Sequence, residues 1–125
     1  MRIVAMCDTH MLHKRLDVPD GDLLIHCGDF SNEPSSSEYD DFFAWFADQP
    51  HQHKVLVAGN HEELMQQFPG MMRKRITQGI VYLEDSATKI GSLQIFGSPW
   101  TPGVSYMAAV GEMMDRDCVK VRAYR

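Results

Sequence analysis

The chain has 125 residues, 44% hydrophobic and 23% charged, the composition of one soluble globular domain with no fibrous or disordered bias. Its formal net charge of -5 gives no general attraction to nucleic acid or an anionic membrane, so any phosphate-bearing substrate must be held locally. Apolar runs such as Val55 to Ala58 fall far short of the ~20 residues of a membrane span. Met1 to Cys7 lacks the regions of a signal peptide, so the cytoplasm is the expected compartment.

Arg2 to Cys7 is rich in apolar and β-branched residues and ends in Asp8-Thr9-His10, which predicts a buried strand delivering polar groups at its C-terminal end. After the turn signal Pro19-Asp20-Gly21, Asp22 to Cys27 predicts a second strand, with Gly28-Asp29 just beyond it. Ser35, Ser36 and Ser37 offer N-caps to a helix whose Tyr39, Phe42, Phe43 and Phe46 recur on one face up to the break at Pro50. That aromatic stripe reads as core. His53 to Ala58 predicts a third strand closed by Gly59-Asn60-His61, and Glu62 to Phe68 a helix stopped by Pro69-Gly70.

Farther on, Ile80 to Leu83 predicts a strand, and Ala87 to Ile90, Gly91-Ser92 and Leu93 to Phe96 a hairpin. Ser105 to Met114 could form a helix, and Cys118 to Tyr124 alternates like a last strand. Strand, polar turn and helix recur in order, which implies an α/β fold with a mainly parallel sheet. Cys7, Cys27 and Cys118 are odd in number and lack CxxC spacing, so they are expected as small buried apolar residues rather than a disulfide framework or zinc site.

Ligands of open α/β sheets bind at the carboxyl ends of the strands, where Asp8-Thr9-His10, Gly28-Asp29 and Gly59-Asn60-His61 would converge. Carboxylates, an imidazole and an amide carbonyl form a ligand set suited to Mn²⁺, Fe or Zn²⁺. The ligands of a DxH lie two residues apart and can close on one cation, while Asp29, central in the order, is the candidate bridge between two.

Together these motifs resemble the first three of the calcineurin-like metallophosphoesterases. Asp22 to Phe30, Val57 to Glu62 and Gly97-Ser98-Pro99-Trp100-Thr101-Pro102 are similar to the metallophosphoesterase-domain, cyclic-nucleotide phosphodiesterase-like branch, over Arg2 to about Pro102. The resemblance implies a sandwich of mixed β-sheets flanked by helices. It also implies divalent metal held by Asp8, His10, Asp29 and Asn60, with His61 as a catalytic group facing the phosphoryl rather than a ligand. The function it implies is hydrolysis of a phosphodiester or phosphomonoester by metal-activated water, on a small phosphoester or nucleotide substrate.

The family completes its site with a later histidine-bearing strand end and a GHxH-like turn, whereas His61 is the last histidine here. The expectation is therefore one truncated domain, residues 1 to 125, comprising the N-terminal half of the sandwich. A homo-oligomer covering the incomplete sheet would follow. The alternatives are a catalytically impaired metal- or nucleotide-binding module, an oligomerising fragment, or an interaction protein that merely inherited the fold. His13, His51 and His53 are expected to be exposed and His26 to pack within its strand. Asp115 and Asp117 read as a solvated helix end, and Arg116, Lys120, Arg122 and Arg125 as a charged strand edge.

Overall fold

A computed structural model describes residues 1 to 99 in full and the backbone of 118 to 122. The expected helix from Ser105 to Met114, with Asp115, Arg116, Asp117 and Arg125, lies outside the described residues, as do the side chains of Lys120 and Arg122. Strands β1 (Ile3–Met6), β2 (Leu23–His26), β3 (His53–Leu56) and β4 (Ile80–Tyr82) form one sheet in the order β1-β2-β3-β4, every pair parallel. A second sheet has the order β5-β6-β7: β5 (Ser86–Ile90) and β6 (Leu93–Ser98) are the expected hairpin, and β7 (Cys118–Arg122) runs parallel to β6.

Period-two alternation sorts the parallel sheet into two faces. Leu24, Leu56 and Ala58 pack beneath helix α1 (Ser36–Asp48), whose Tyr39, Phe42, Phe43 and Phe46 are all fully buried. Phe42 stacks on Phe30 at 4.3 Å and on Phe46 at 5.3 Å between ring centroids. Leu23, Ile25, Val55 and Val57 face the second sheet and meet Leu83, Ile90 and Ile95. Gly97 allows that close approach, since a Cβ there would lie 2.5 Å from the Leu83 Cβ and 2.7 Å from a Val57 methyl. The two facing sheets with helices outside agree with the sandwich that the resemblance implies.

Several local expectations are corrected. Pro69 does not end helicity after α2 (Glu63–Gln67); it occupies the first turn of α3 (Pro69–Arg73), where a missing N–H costs nothing. Ser35 stands at the start of α1 without a side-chain capping bond, its hydroxyl pairing with Ser37 at 2.8 Å. Cys7 is exposed rather than buried, because among the described residues the second sheet covers β2 and β3 but not the Ile3, Ala5 and Cys7 face of β1. His13 is fully buried and not a surface residue: its ring packs on Phe42 and Trp45 while Nε2 meets the Asp41 carboxylate at 3.1 Å. His51 is likewise buried, with Nε2 donating to the Pro19 carbonyl at 3.0 Å.

His26 packs as expected and also ties two loops. Its Nδ1 accepts the Gly28 N–H at 3.1 Å, which leaves the proton on Nε2 to donate to the Thr9 hydroxyl at 2.9 Å. Burial holds this imidazole neutral, its pKa lowered from 6.5 to about 3. The unfolded chain therefore binds a proton in that window that the folded chain refuses. His26 should cost stability as pH falls from 6.5, by up to about 1.4 kcal/mol per pH unit. Urea unfolding at pH 7 and pH 5 should show a smaller pH dependence for His26→Gln than for the parent, and an equal dependence would refute this account.

Candidate metal centre

All four strands of the parallel sheet point their C-terminal ends the same way, so the turns after β1, β2 and β3 meet at one edge. The first two turns remain zipped beyond the strands: Asp8 N–H donates to the Gly28 carbonyl at 2.9 Å, His10 N–H to Asp29 at 3.0 Å and Met11 N–H to Phe30 at 2.9 Å. This path needs left-handed backbone at Asp8 (φ 55°), His10 (φ 41°) and Asp29 (φ 55°), which aspartate and histidine tolerate better than most residues but which carries strain.

Within the bend, ligand atoms of His10, Asp29 and His61 lie within 4.8 Å of one another, the one such group among the described residues. His10 Nδ1 lies 3.2 Å from the Ser31 carbonyl and His61 Nδ1 lies 3.0 Å from that of Asn32. A carbonyl can only accept, so each Nδ1 carries the proton and each neutral ring keeps its lone pair on Nε2. The same outer hydrogen bond commonly orients metal-bound histidine. His10 Nε2 is also 3.9 Å from the Asp8 carboxylate, which is 59% exposed. The two rings meet edge to face at 4.7 Å.

Bond lengths near 2.1 Å put the ligand atoms of a tetrahedral site about 3.4 Å apart, so small side-chain rotations would close this group on one cation. Two imidazole lone pairs with carboxylates alongside suit a divalent metal of the Mn²⁺, Fe or Zn²⁺ kind. Of the expected ligands, His10 and Asp29 enter this group; Asp8 reaches it only through the 3.9 Å approach to His10, and exposed Asn60 lines the adjoining cleft. His61, expected to face substrate, stands within reach of the ligand atoms themselves. Its imidazole is held above its ordinary pKa, chiefly by the bond to the Asn32 carbonyl. A cleft of about 230 Å³ opens beside it, lined by Asn32, Glu33, Pro34, Asn60, His61 and Glu63.

Glu62 is the group that sequence reading missed. Its side chain is fully buried, and its Oε2 accepts the N–H of Asp29 at 2.8 Å and of Gly59 at 2.6 Å. The other oxygen accepts the N–H and hydroxyl of Ser31 at 2.9 and 2.8 Å. Burial raises its pKa while these donors oppose the rise. Its reach back to the N–H three residues earlier resembles half of a capping box, but Glu62 itself precedes α2 and Gly59 brings no hydroxyl, so no local motif marks it. Gly59 completes the junction, because a Cβ there would overlap the Asp29 carboxylate, which also accepts the His61 N–H at 3.0 Å. The site thus binds its room to a missing side chain.

Both described cysteines adjoin the centre. The Cys7 pKa is pushed up to about 11, first by its hydrogen bond to Asp8. That of Cys27 also reaches about 11, through burial and then the nearby Cys7.

The family model for calcineurin-like phosphoesterases matches residues 1–112. Among curated proteins, the chain is 32% identical to metallophosphoesterase domain-containing protein 1 of Homo sapiens over 123 residues, covering 81% of this chain and 38% of that protein. It is 34% identical to a UPF0046 protein of Caenorhabditis elegans over 130 residues, covering 90% of this chain and 46% of that one. A probable rhamnogalacturonate lyase C of Emericella nidulans is 33% identical over 112 residues, 82% of this chain but only 11% of the relative. The chain therefore spans less than half the length of these relatives.

Replacing Glu62 by glutamine would turn an amide NH₂ toward N–H donors that now share a carboxylate. Glu62→Gln should lose about 3 kcal/mol of unfolding free energy. Divalent-metal affinity should fall about tenfold or more in the folded protein. Urea unfolding and metal titration check both, and a variant matching the parent in each would show that Glu62 positions nothing.

Proposed function

Because the chain belongs to the calcineurin-like phosphoesterase family, we propose that it is a metal-dependent phosphoesterase acting on a phosphodiester or phosphomonoester of small size, with nucleotides among the candidates. The observation that carries this reading is the convergence of His10, Asp29 and His61 at one sheet edge, with the His10 Nε2 lone pair available to a cation and that of His61 to a proton. In the proposed site, Asp8, His10, Asp29 and Asn60 hold the cation, with Mn²⁺ the first choice and Fe or Zn²⁺ next. A bound divalent cation would supply positive charge to polarise a phosphoryl oxygen and acidify attacking water.

The protein's own groups do the rest. Asp29 holds the β2 and β3 turns at one spacing through its carboxylate bond to the His61 N–H. His61, with its proton on Nδ1 and a raised pKa, takes a second proton on Nε2 and delivers it to the leaving oxygen. Asn60 and His61 line the adjoining cleft, where the ester's organic group would rest. No helix among the described residues is long and apolar enough to cross a membrane, in keeping with the proposed cytoplasmic location. Exposed Ile3 on edge strand β1 and Val81 on edge strand β4 support a second copy as the partner.

Elemental analysis of the purified chain, paired with hydrolysis of bis(p-nitrophenyl) phosphate in Mn²⁺, tests the reading. Asp29→Asn should lose both metal and turnover, the latter by at least about 100-fold. His61→Gln should keep its metal and lose turnover. Metal falling in step with turnover in that variant would instead make His61 a ligand. Metal retained by the parent without any turnover would leave a metal-binding module.

A further inference from the structure

The pairing of β1 with β2 runs past its last ladder partners, Met6 and His26. Cys27 N–H donates to the Met6 carbonyl at 2.8 Å, and Asp8 N–H to that of Gly28 rather than Cys27 at 2.9 Å, so just past the strand ends Cys7 stands opposite the pair Cys27 and Gly28, as at a bulge. Alternation puts both cysteines on the face of Ile3, Ala5, Leu23 and Ile25. Adjacent strands lie about 4.8 Å apart, inside the Cα separation of roughly 4.4 to 6.8 Å that a disulfide bridges. Cys7 is exposed and Cys27 half-buried, and both are free thiols. One residue separates each from its turn's carboxylate or less: Asp8 follows Cys7 directly, and Asp29 follows Cys27 by way of Gly28.

We infer that Cys7 and Cys27 form a reversible dithiol–disulfide pair, an oxidation site whose closure weakens divalent-metal binding at Asp8 and Asp29. The oxidant is a small disulfide such as glutathione disulfide. The exposed Cys7 reacts through its thiolate, a small fraction because Asp8 holds the thiol protonated, so the exchange is slow; it breaks the S–S bond of the small disulfide, and one glutathione leaves as thiol with the Cys7 proton. Cys27 sulfur then attacks the Cys7 sulfur of the mixed disulfide, and the second glutathione leaves with the Cys27 proton. Two protein thiols lose two electrons in all, and one small disulfide becomes two thiols. Closure draws the Cβ atoms to about 3.8 Å and removes the Cys7 hydrogen bond to Asp8. The strain falls on two turns that already hold left-handed aspartates.

The metal-binding half of this inference rests on the proposed function, while the sulfur chemistry stands apart from it. The full chain is treated with glutathione disulfide, mapped by peptide mass spectrometry, and titrated with Mn²⁺ before and after. The expected result is a Cys7–Cys27 peptide, loss of two hydrogen masses per chain, and Mn²⁺ affinity lowered about tenfold and restored by dithiothreitol. Cys118→Ser should behave like the parent, and Cys7→Ser and Cys27→Ser should form no such peptide. Persistent glutathione adducts on both thiols, or pairing through Cys118, would overturn the oxidation site. A disulfide that leaves Mn²⁺ affinity unchanged would overturn the coupling. Failure of the reduced chain to bind Mn²⁺ would count against both the coupling and the phosphoesterase reading, and the peptide map would still decide the thiol pair.

Discussion

The buried Glu62 carboxylate is the interaction on which the metal centre depends. Strands end at a sheet edge, and nothing in their ladder fixes where the chain goes next. Here one carboxylate gathers N–H groups from the β2 turn, at Asp29 and Ser31, and from the β3 turn, at Gly59. An ionised group so deep in the protein is tolerable because each oxygen takes two donors. Any shift of either turn would leave part of that charge unsatisfied. The energetic stake is thus what keeps Asp29 and His61 at a fixed spacing, and Gly59 provides the space they need.

His26 does for the first two turns what Glu62 does for the second and third. Neutral and buried against Phe30, Phe42 and Phe46, it accepts from Gly28 and donates to Thr9. The aromatic face of α1 is therefore more than filler, because it fixes the ring that fixes the DxH turn. His13 extends the same logic, clamping the loop beyond His10 to α1 through Asp41. Core packing and site geometry are here a single continuous problem.

Much of this was legible from the residues. The strands and α1 follow from apolar alternation and the aromatic spacing, and the polar turns after β1, β2 and β3 follow from the Gly, Asp and His residues that close each apolar run. Local signals with two meanings misled. Pro69 reads as a stop and as a start, and only the turn at Phe68 decides between them. His13 and His51 look like solvent residues because burial depends on partners far along the chain, Asp41 and Pro19. Glu62 was hidden for the same reason: three of its four donors belong to Asp29 and Ser31, some thirty residues away. The exposure of Cys7 depends on how far the second sheet reaches across the first, and among the described residues it stops short of β1.

The wiring of the turns also determines how an anion can be welcomed. The amides of Asp8, His10, Met11, Asp29, Ser31, Gly59 and His61 are all spent on internal acceptors, and those of Asn32 and Glu33 on Glu38. Glycine-rich phosphate loops work the opposite way, pointing unclaimed amides at their ligand. With these amides closed to it, a phosphate arriving here would find its positive counterpart in imidazolium or captured cation. On the proposed function, a chain stripped of metal would keep only imidazolium to hold an ester.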